Sequence, residues 1–254
     1  IMSLTIENNI LMKNGKPFFY LADTCWSAFT NIKDNDWDYY LDYRKSQGFN
    51  TLQINILPQW DASATDLCYE PFEVIDGKYN YKKLNLSYFE HADKMCARAK
   101  EKGFELALVI MWCNFVPDTW ASQFYSKGLM PIDCIDNYIN IIHETFTKYE
   151  PLYIISGDTD FNTEQCIEYY VKCAKQIKEL APNCLYTTHI KGRYTYIPDN
   201  LYSYLDLCFY QSGHNAQNLG MPYLLAEEMA DKYKGKPVIN SEPCYEDMGY
   251  SRQL

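Results

Sequence analysis

Histidine is scarce in this chain, with 4 in 254 residues. Its 10 cysteines include no C-x-x-C pair, which excludes zinc-ribbon and thioredoxin-like readings. No glycine-rich phosphate loop follows any apolar run, so dinucleotide and P-loop binding are excluded as well. Basic residues number 23 against 33 acidic ones, a formal net charge of −10. Nucleic acid and anionic membranes both need a basic footprint, so neither is an expected partner. No apolar stretch reaches the roughly 18–20 residues that a membrane span requires. Linkers, low-complexity segments and long charge blocks are also missing, and residues 1–254 therefore read as a single domain.

What is present is an ordinary globular composition, 47% hydrophobic and 22% charged. Aromatics reach 16%, with 24 tyrosines, a supply of rings with polar handles that suits clefts and interfaces. Most cysteines, among them Cys96, Cys113, Cys173 and Cys208, lie in apolar patterns and read as small buried hydrophobes in a reducing compartment. The opening Ile1-Met2-Ser3-Leu4 lacks the basic and apolar regions of a signal peptide. A cytoplasmic location is expected, with a removed targeting segment as the alternative.

Strand and helix patterns alternate along the chain. Apolar runs at 18–23, 49–57, 104–112, 151–156, 185–190, 205–210 and 236–241 read as strands. Helical periodicity marks 34–48, 85–103, 132–149, 163–182 and 221–234, with Asp133 and Thr163 as candidate N-caps. Residues 58–84 and 191–204 read as irregular. "FELALVIMW" (104–112) is almost wholly apolar, as a strand buried on both faces of a parallel sheet must be. The alternation predicts an α/β fold, a TIM-type (β/α) barrel. Seven strand units are evident, and no eighth strand can be read after residue 241. The expected barrel is therefore truncated after strand seven, leaving unpaired edges on strands one and seven.

Chemistry in such barrels sits at the C-terminal ends of the strands. Those ends carry Asp23-Thr24-Cys25-Trp26, Asn55 to Gln59, Trp112-Cys113-Asn114, Gly157-Asp158-Thr159-Asp160, His189, Gln211-Ser212-Gly213-His214 and Ser241-Glu242-Pro243. Asp158 and Glu242 each follow directly on an apolar run. Two facing carboxylates are the tools of glycoside hydrolysis, one protonated to serve the leaving oxygen and one ionised. Trp26, Trp112 and Tyr210 offer flat faces to a sugar ring. Carboxylates that simply meet water at strand ends are the alternative.

Five ordered stretches carry a more specific signal: "GKPFFYLADTCW" (15–26), "YLDYRKSQGFNTLQINILP" (40–58), "ISGDTDFN" (155–162), "YQSGH" (210–214) and "INSEPCYE" (239–246). Together they resemble the apiosidase-like glycoside hydrolases, (β/α)8 barrels similar to the large clan of retaining glycosidases. The resemblance spans about residues 5–250. It implies cleavage of O-glycosidic bonds with retention, without a cofactor or metal, on an oligosaccharide or polysaccharide fragment. It also implies an acid/base carboxylate after strand four and a nucleophilic glutamate after strand seven, here Asp158 and Glu242. Asp160 is the competitor for the first role. The wider clan usually has Asn-Glu where this chain has Gly157-Asp158, so the acid is one methylene shorter. Family members continue into an eighth strand, often followed by a small β-sandwich.

Asp23, Trp26, Trp112, His189, Tyr210, His214 and Tyr245 are the expected substrate contacts. Tyr210 or His214 would hold Glu242 ionised by hydrogen bonding. His91, His143 and Arg44 fall within helices and read as structural. Two further readings stand beside the glycosidase. One is an inactive sugar-binding remnant. The other is a metal-dependent hydrolase using the strand-end His and Asp residues, although the His-x-His expected after strand one is Asp23-Thr24 here. Loops 58–84 and 113–131 would set specificity, and Lys191 or Arg193 could meet one substrate carboxylate.

Overall fold

The computed structural model describes residues 4–60, 67, 69–214 and 219–245. It opens with a three-stranded antiparallel sheet, β1 (Leu4–Glu7), β2 (Ile10–Lys13) and β3 (Lys16–Pro17). The seven strands of the alternating pattern follow: β4 (Ala22–Thr24), β5 (Thr51–Asn55), β8 (Glu105–Trp112), β9 (Leu152–Gly157), β10 (Leu185–Thr187), β11 (Cys208–Tyr210) and β12 (Val238–Asn240). A hairpin, β6 (Phe72–Ile75) and β7 (Lys78–Leu84), lies between β5 and β8. The helices are α1 (Ala28–Asn31), α2 (Asp34–Ser46), α3 (Leu86–Glu101), α4 (Ile135–Phe146), α5 (Glu164–Leu180), α6 (Asp199–Tyr202) and α7 (Met221–Lys232). Among the described residues no helix is long and apolar enough to cross a membrane.

The parallel strands form one five-stranded sheet in the order β10-β9-β8-β5-β4 and a parallel pair, β11-β12. Backbone amides of Asp206 and Leu207 donate to the Tyr186 carbonyl, which ties the pair to β10. All eight residues of β8 are buried, so its apolar run covers both faces of the sheet. The helices bury one stripe each. In α4, Ile135, Tyr138, Ile139, Ile142 and Phe146 recur at three- and four-residue spacing on the core side. Thr163 caps α5 by accepting the Cys166 amide at 3.2 Å.

The fold class is as expected, a TIM-type α/β arrangement. Some local readings are corrected. The run at 18–23 enters the first barrel strand only at its end. Only Ala22–Thr24 pairs with β5, while Phe19 is 79% exposed and the Phe18 amide bonds to Leu11 of β2. Residues 58–84 are not a plain loop, because Asp76-Gly77, both at positive φ, turns β6 into β7. Asp133 does not cap α4. It sits inside a 3-10 turn, Ile132–Cys134, and Cys134 occupies the cap position. Residues 191–204 include the short α6.

The small N-terminal sheet meets the strand starts of the barrel. Lys13 of β2 reaches the buried Glu105 at 2.5 Å, and Lys100 reaches the same carboxylate at 2.9 Å. Burial alone would raise Glu105, but its bonds to the two lysines hold it below its ordinary value. The opposite ends of the strands are thereby left for the cleft. Among the described residues, β4 and β12 each have a ladder partner on one side only.

Candidate active site

A cleft of about 950 Å³ opens at the C-terminal strand ends. Asp158 and Glu242 both line it, with Asp23, Trp26, Trp112, His214 and Tyr245. The fourth strand ends in register with the third, and Trp112 of β8 pairs with Gly157 of β9. The Trp112 ring lies over that glycine so closely that an added Cβ would stand 2.0 Å from a ring carbon. No asparagine could occupy this position without moving the tryptophan. Asp158, next in the chain, has φ +52° in the left-handed region. Short Asp and Asn side chains tolerate that region better than longer ones. The Gly-Asp pair is thus the local solution to a tryptophan packed against the end of β9.

Asp158 is half-buried, and its Oδ1 accepts the Gln211 side-chain amide at 2.7 Å. Its backbone carbonyl accepts the Trp120 indole N–H at 2.7 Å. Burial pushes its carboxyl up to about 7, and the negative charge of Glu242 adds to the rise. His189, the Gln211 bond and Lys191 oppose it. A large share of Asp158 is therefore protonated near neutral pH.

Glu242 is buried and surrounded by donors. His189 Nε2 lies 2.9 Å from Oε2, His214 Nε2 lies 3.3 Å from Oε1, and the Tyr245 hydroxyl donates to Oε1. Burial raises this carboxyl too. Hydrogen bonds from His189 and His214, the charge of His189 and the Tyr245 bond outweigh it and hold Glu242 well below the usual carboxylate range. The two carboxylates of one cleft are thus driven in opposite directions.

The donors are themselves fixed. His189 is fully buried, and its Nδ1 lies 2.8 Å from Ser241 Oγ. Gln211 directs its two side-chain protons to Asp158 Oδ1 and, at 2.8 Å, to the Ile190 carbonyl. The proton between His189 and the ionised Glu242 therefore belongs to His189 Nε2. Tyr245 accepts the Trp26 indole N–H at 3.1 Å, and its ring stacks on His214 with centroids 4.4 Å apart.

The other expected contacts fall differently. Asp23 lines the cleft but is engaged by Arg44 Nε at 2.7 Å and by the Tyr40 hydroxyl. Arg44, read as structural from its place in a helix, makes this ion pair within the cleft lining. His189 lies behind Glu242 rather than in the cleft lining. Tyr210 gives no bond to Glu242. Its hydroxyl donates to the Pro222 carbonyl at 3.0 Å and the ring is outside the lining, so the donors beside His214 are His189 and Tyr245. Asp160 also lies outside the lining, with Oδ2 accepting the Asn162 amide at 2.9 Å. Among the described residues no group of three or more His, Cys, Asp or Glu side chains is arranged to hold a metal ion. The nine described cysteines are free.

Gln211, Trp60 and Trp120 were not singled out as site residues by sequence. Gln211 stands at a strand end, where polar side chains of such barrels converge, and that signal was available. Trp60 and Trp120 lie on loops, where no periodicity reports direction.

No curated protein sequence is detectably similar to the chain. Among solved structures, a glycoside hydrolase family 5 protein from Bacteroides vulgatus ATCC 8482 is similar, with a TM-score of 0.77 and 24% identity. The match covers 97% of this chain and 54% of that one. A second, described as a glycoside hydrolase, has a TM-score of 0.79 and 23% identity over 100% of this chain and 58% of its own. An endo-1,4-beta-mannanase from Rhizomucor miehei has a TM-score of 0.62 and 14% identity, covering 95% and 82%. This chain spans little more than half the length of the first two. At these identities the likeness establishes the barrel fold. Residues 6–254 match the family described as the apiosidase-like catalytic domain, and the chain belongs to that family.

Proposed function

We propose that this domain hydrolyses O-glycosidic bonds of an oligosaccharide or polysaccharide fragment by double displacement, with Glu242 as nucleophile and Asp158 as acid/base. The observation that carries the reading is the opposite tuning of the two carboxylates in one cleft. Ionised Glu242 attacks the anomeric carbon as the bond to the leaving oxygen breaks. Protonated Asp158 gives its proton to that oxygen. Forming the glycosyl ester removes the negative charge of Glu242, one of the causes that raise Asp158. The Asp158 carboxyl then falls toward its ordinary range and becomes a better base. It takes a proton from water, the hydroxide attacks the anomeric carbon, and Glu242 leaves as carboxylate.

The surrounding residues support these roles. His189, His214 and Tyr245 keep Glu242 ionised and oriented, and Gln211 fixes the Asp158 oxygen. Trp26 and Trp112, both largely buried, line the cleft beside them. The family and the mannanase-like fold favour a carbohydrate over other substrates of two-carboxylate chemistry.

The direct test is the product's first anomer. Proton NMR of the earliest product should show the configuration of the substrate. An inverted product would replace nucleophilic attack by Glu242 with water attack, and turnover unchanged in Glu242→Gln would remove the assignment altogether.

A further inference from the structure

Two histidines meet Glu242, and their surroundings differ. His214 Nε2 faces Oε1 at 3.3 Å, while its Nδ1 is buried and has no partner among the described residues. A second N–H there would be buried and unpaired, so the one ring proton of His214 sits on Nε2. His189 has a use for both ring nitrogens. Nε2 donates to Glu242 Oε2 at 2.9 Å, and Nδ1 lies 2.8 Å from Ser241 Oγ. The Ser241 hydroxyl has a single hydrogen and also faces the Tyr210 carbonyl at 3.1 Å. A carbonyl only accepts, so that hydrogen goes to Tyr210. His189 Nδ1 then donates to Ser241, both ring nitrogens carry protons, and the ring is an imidazolium.

The packing around His189 suits a cation. Trp26 and Trp112 flank the ring, with centroids 5.3 Å and 5.7 Å away, within the distance at which aromatic rings attract positive charge. Ser156 of β9 bonds only to the His189 backbone. Gln211 Nε2 lies 3.4 Å from His189 Nε2 and 2.7 Å from Asp158 Oδ1, so one amide separates the ring from the second carboxylate. Lys191, two residues on, points to Asp160 at 3.8 Å. Among the described residues the ring therefore faces Glu242 directly and Asp158 across Gln211, and its charge lowers both carboxyls.

We infer that His189 is a positioning residue that serves as one shared counter-ion for both carboxylates, paired with Glu242 in the free enzyme and with Asp158 once Glu242 is esterified. The inference rests on the glycosidase reading and deepens it. Before the first step Glu242 is ionised and Asp158 protonated. Glu242 then bonds to the anomeric carbon, and Asp158 passes its proton to the leaving oxygen. One negative charge disappears as another appears, so a single buried cation balances the site in both states. Without it, each carboxylate in turn would be ionised and buried without a close cation, which is costly.

Nitrogen-15 NMR of the histidine-labelled protein at pH 7, with ring signals assigned through the backbone, reads the charge directly. His189 should show two N–H nitrogens and His214 one. A bare Nδ1 on His189 would overturn the inference. Carbon-13 titration of the two carboxyls in His189→Gln gives the second reading. Glutamine can keep a hydrogen bond to Glu242 but carries no charge, so Asp158 and Glu242 should both titrate about one pH unit or more above wild type. A rise in Glu242 alone would overturn the shared role. If His189→Gln does not fold, Glu242→Gln replaces it: Asp158 should drop while His189 keeps both protons, and loss of the second proton would overturn the inference. On a panel of 4-nitrophenyl glycosides, both limbs of the kcat/KM profile should move to higher pH in His189→Gln. A merely structural loss would lower the rate and leave the limbs in place. Wild type that cleaves none of the panel but gives the expected spectra would uphold the counter-ion while counting against the hydrolase.

Discussion

The two carboxylates come from unequal halves of the barrel. Asp158 directly follows β9 of the five-stranded sheet, where β8 and β9 are buried along their whole length. Glu242 follows β12, a three-residue strand only partly buried and paired on one side among the described residues. On the large sheet, ladder and packing position the acid: Trp112 over Gly157, Trp120 on the Asp158 carbonyl. On the small pair, side-chain hydrogen bonds do the same work. His189 reaches across from the large sheet to Glu242, and Gln53 of β5 donates to the Ser241 carbonyl at 2.9 Å. Rigid placement is available where strands are long and doubly paired. Where they are short, polar side chains must hold the group in place.

The largest break in this comparison is Glu242→Gln. It should lower kcat by about 10⁴-fold or more while the fold, read by circular dichroism, stays intact. Asp158→Asn comes next. A loss of about 10²–10⁴-fold is expected on substrates with poor leaving groups, and a much smaller one on activated aryl glycosides. The same variant separates stability from activity. The folded carboxyl is raised above its unfolded value, from 3.8 to about 7. The stability it contributes is fully present below about pH 4 and lost as pH rises through 7. Asp158→Asn should therefore be more stable than wild type at pH 8, by about 2–4 kcal/mol, and no more stable at pH 3. Urea unfolding at the two pH values checks the sign.

Gly157→Ala tests the packing half. A methyl group there meets the Trp112 ring, and overpacking of this kind costs about 1–3 kcal/mol. Thermal unfolding should report the loss, with activity falling as Trp112 shifts. An unchanged melting temperature would mean that the ring yields freely and does not dictate the glycine. The smallest effect is expected from Gln211→Leu. Its amide lowers the Asp158 carboxyl, so removing it raises that group further. Activity that requires protonated Asp158 falls as pH rises through its value. The alkaline limb of kcat/KM should therefore move to higher pH in Gln211→Leu.

The same contrast shows what sequence could reveal. The long buried strands announce themselves because both faces are apolar, as in β8, and the helices because one stripe is, as in α4. Asp158 and Glu242 were legible as polar residues that end apolar runs. The N-terminal sheet was not read, though Asn14-Gly15 and Asp76-Gly77, each at positive φ, are hairpin turn signals for β2–β3 and β6–β7. Short strands with polar alternation compete poorly with the neighbouring barrel pattern. Side-chain direction was beyond reach. Nothing in "LCFYQSGH" says that Tyr210 turns to the Pro222 carbonyl while Gln211 turns to Asp158. Tertiary contacts across 12 and 53 residues decide those orientations.

The central claim is that one cleft holds two carboxylates in opposite protonation states. Carbon-13 NMR titration of the labelled aspartate and glutamate carboxyls, assigned with Asp158→Asn and Glu242→Gln, measures it directly. Asp158 should titrate near 7 and drop in Glu242→Gln, while Glu242 should stay ionised to below the usual carboxylate range. An Asp158 that titrates with ordinary aspartates, or a Glu242 that takes up a proton before it, would contradict the account.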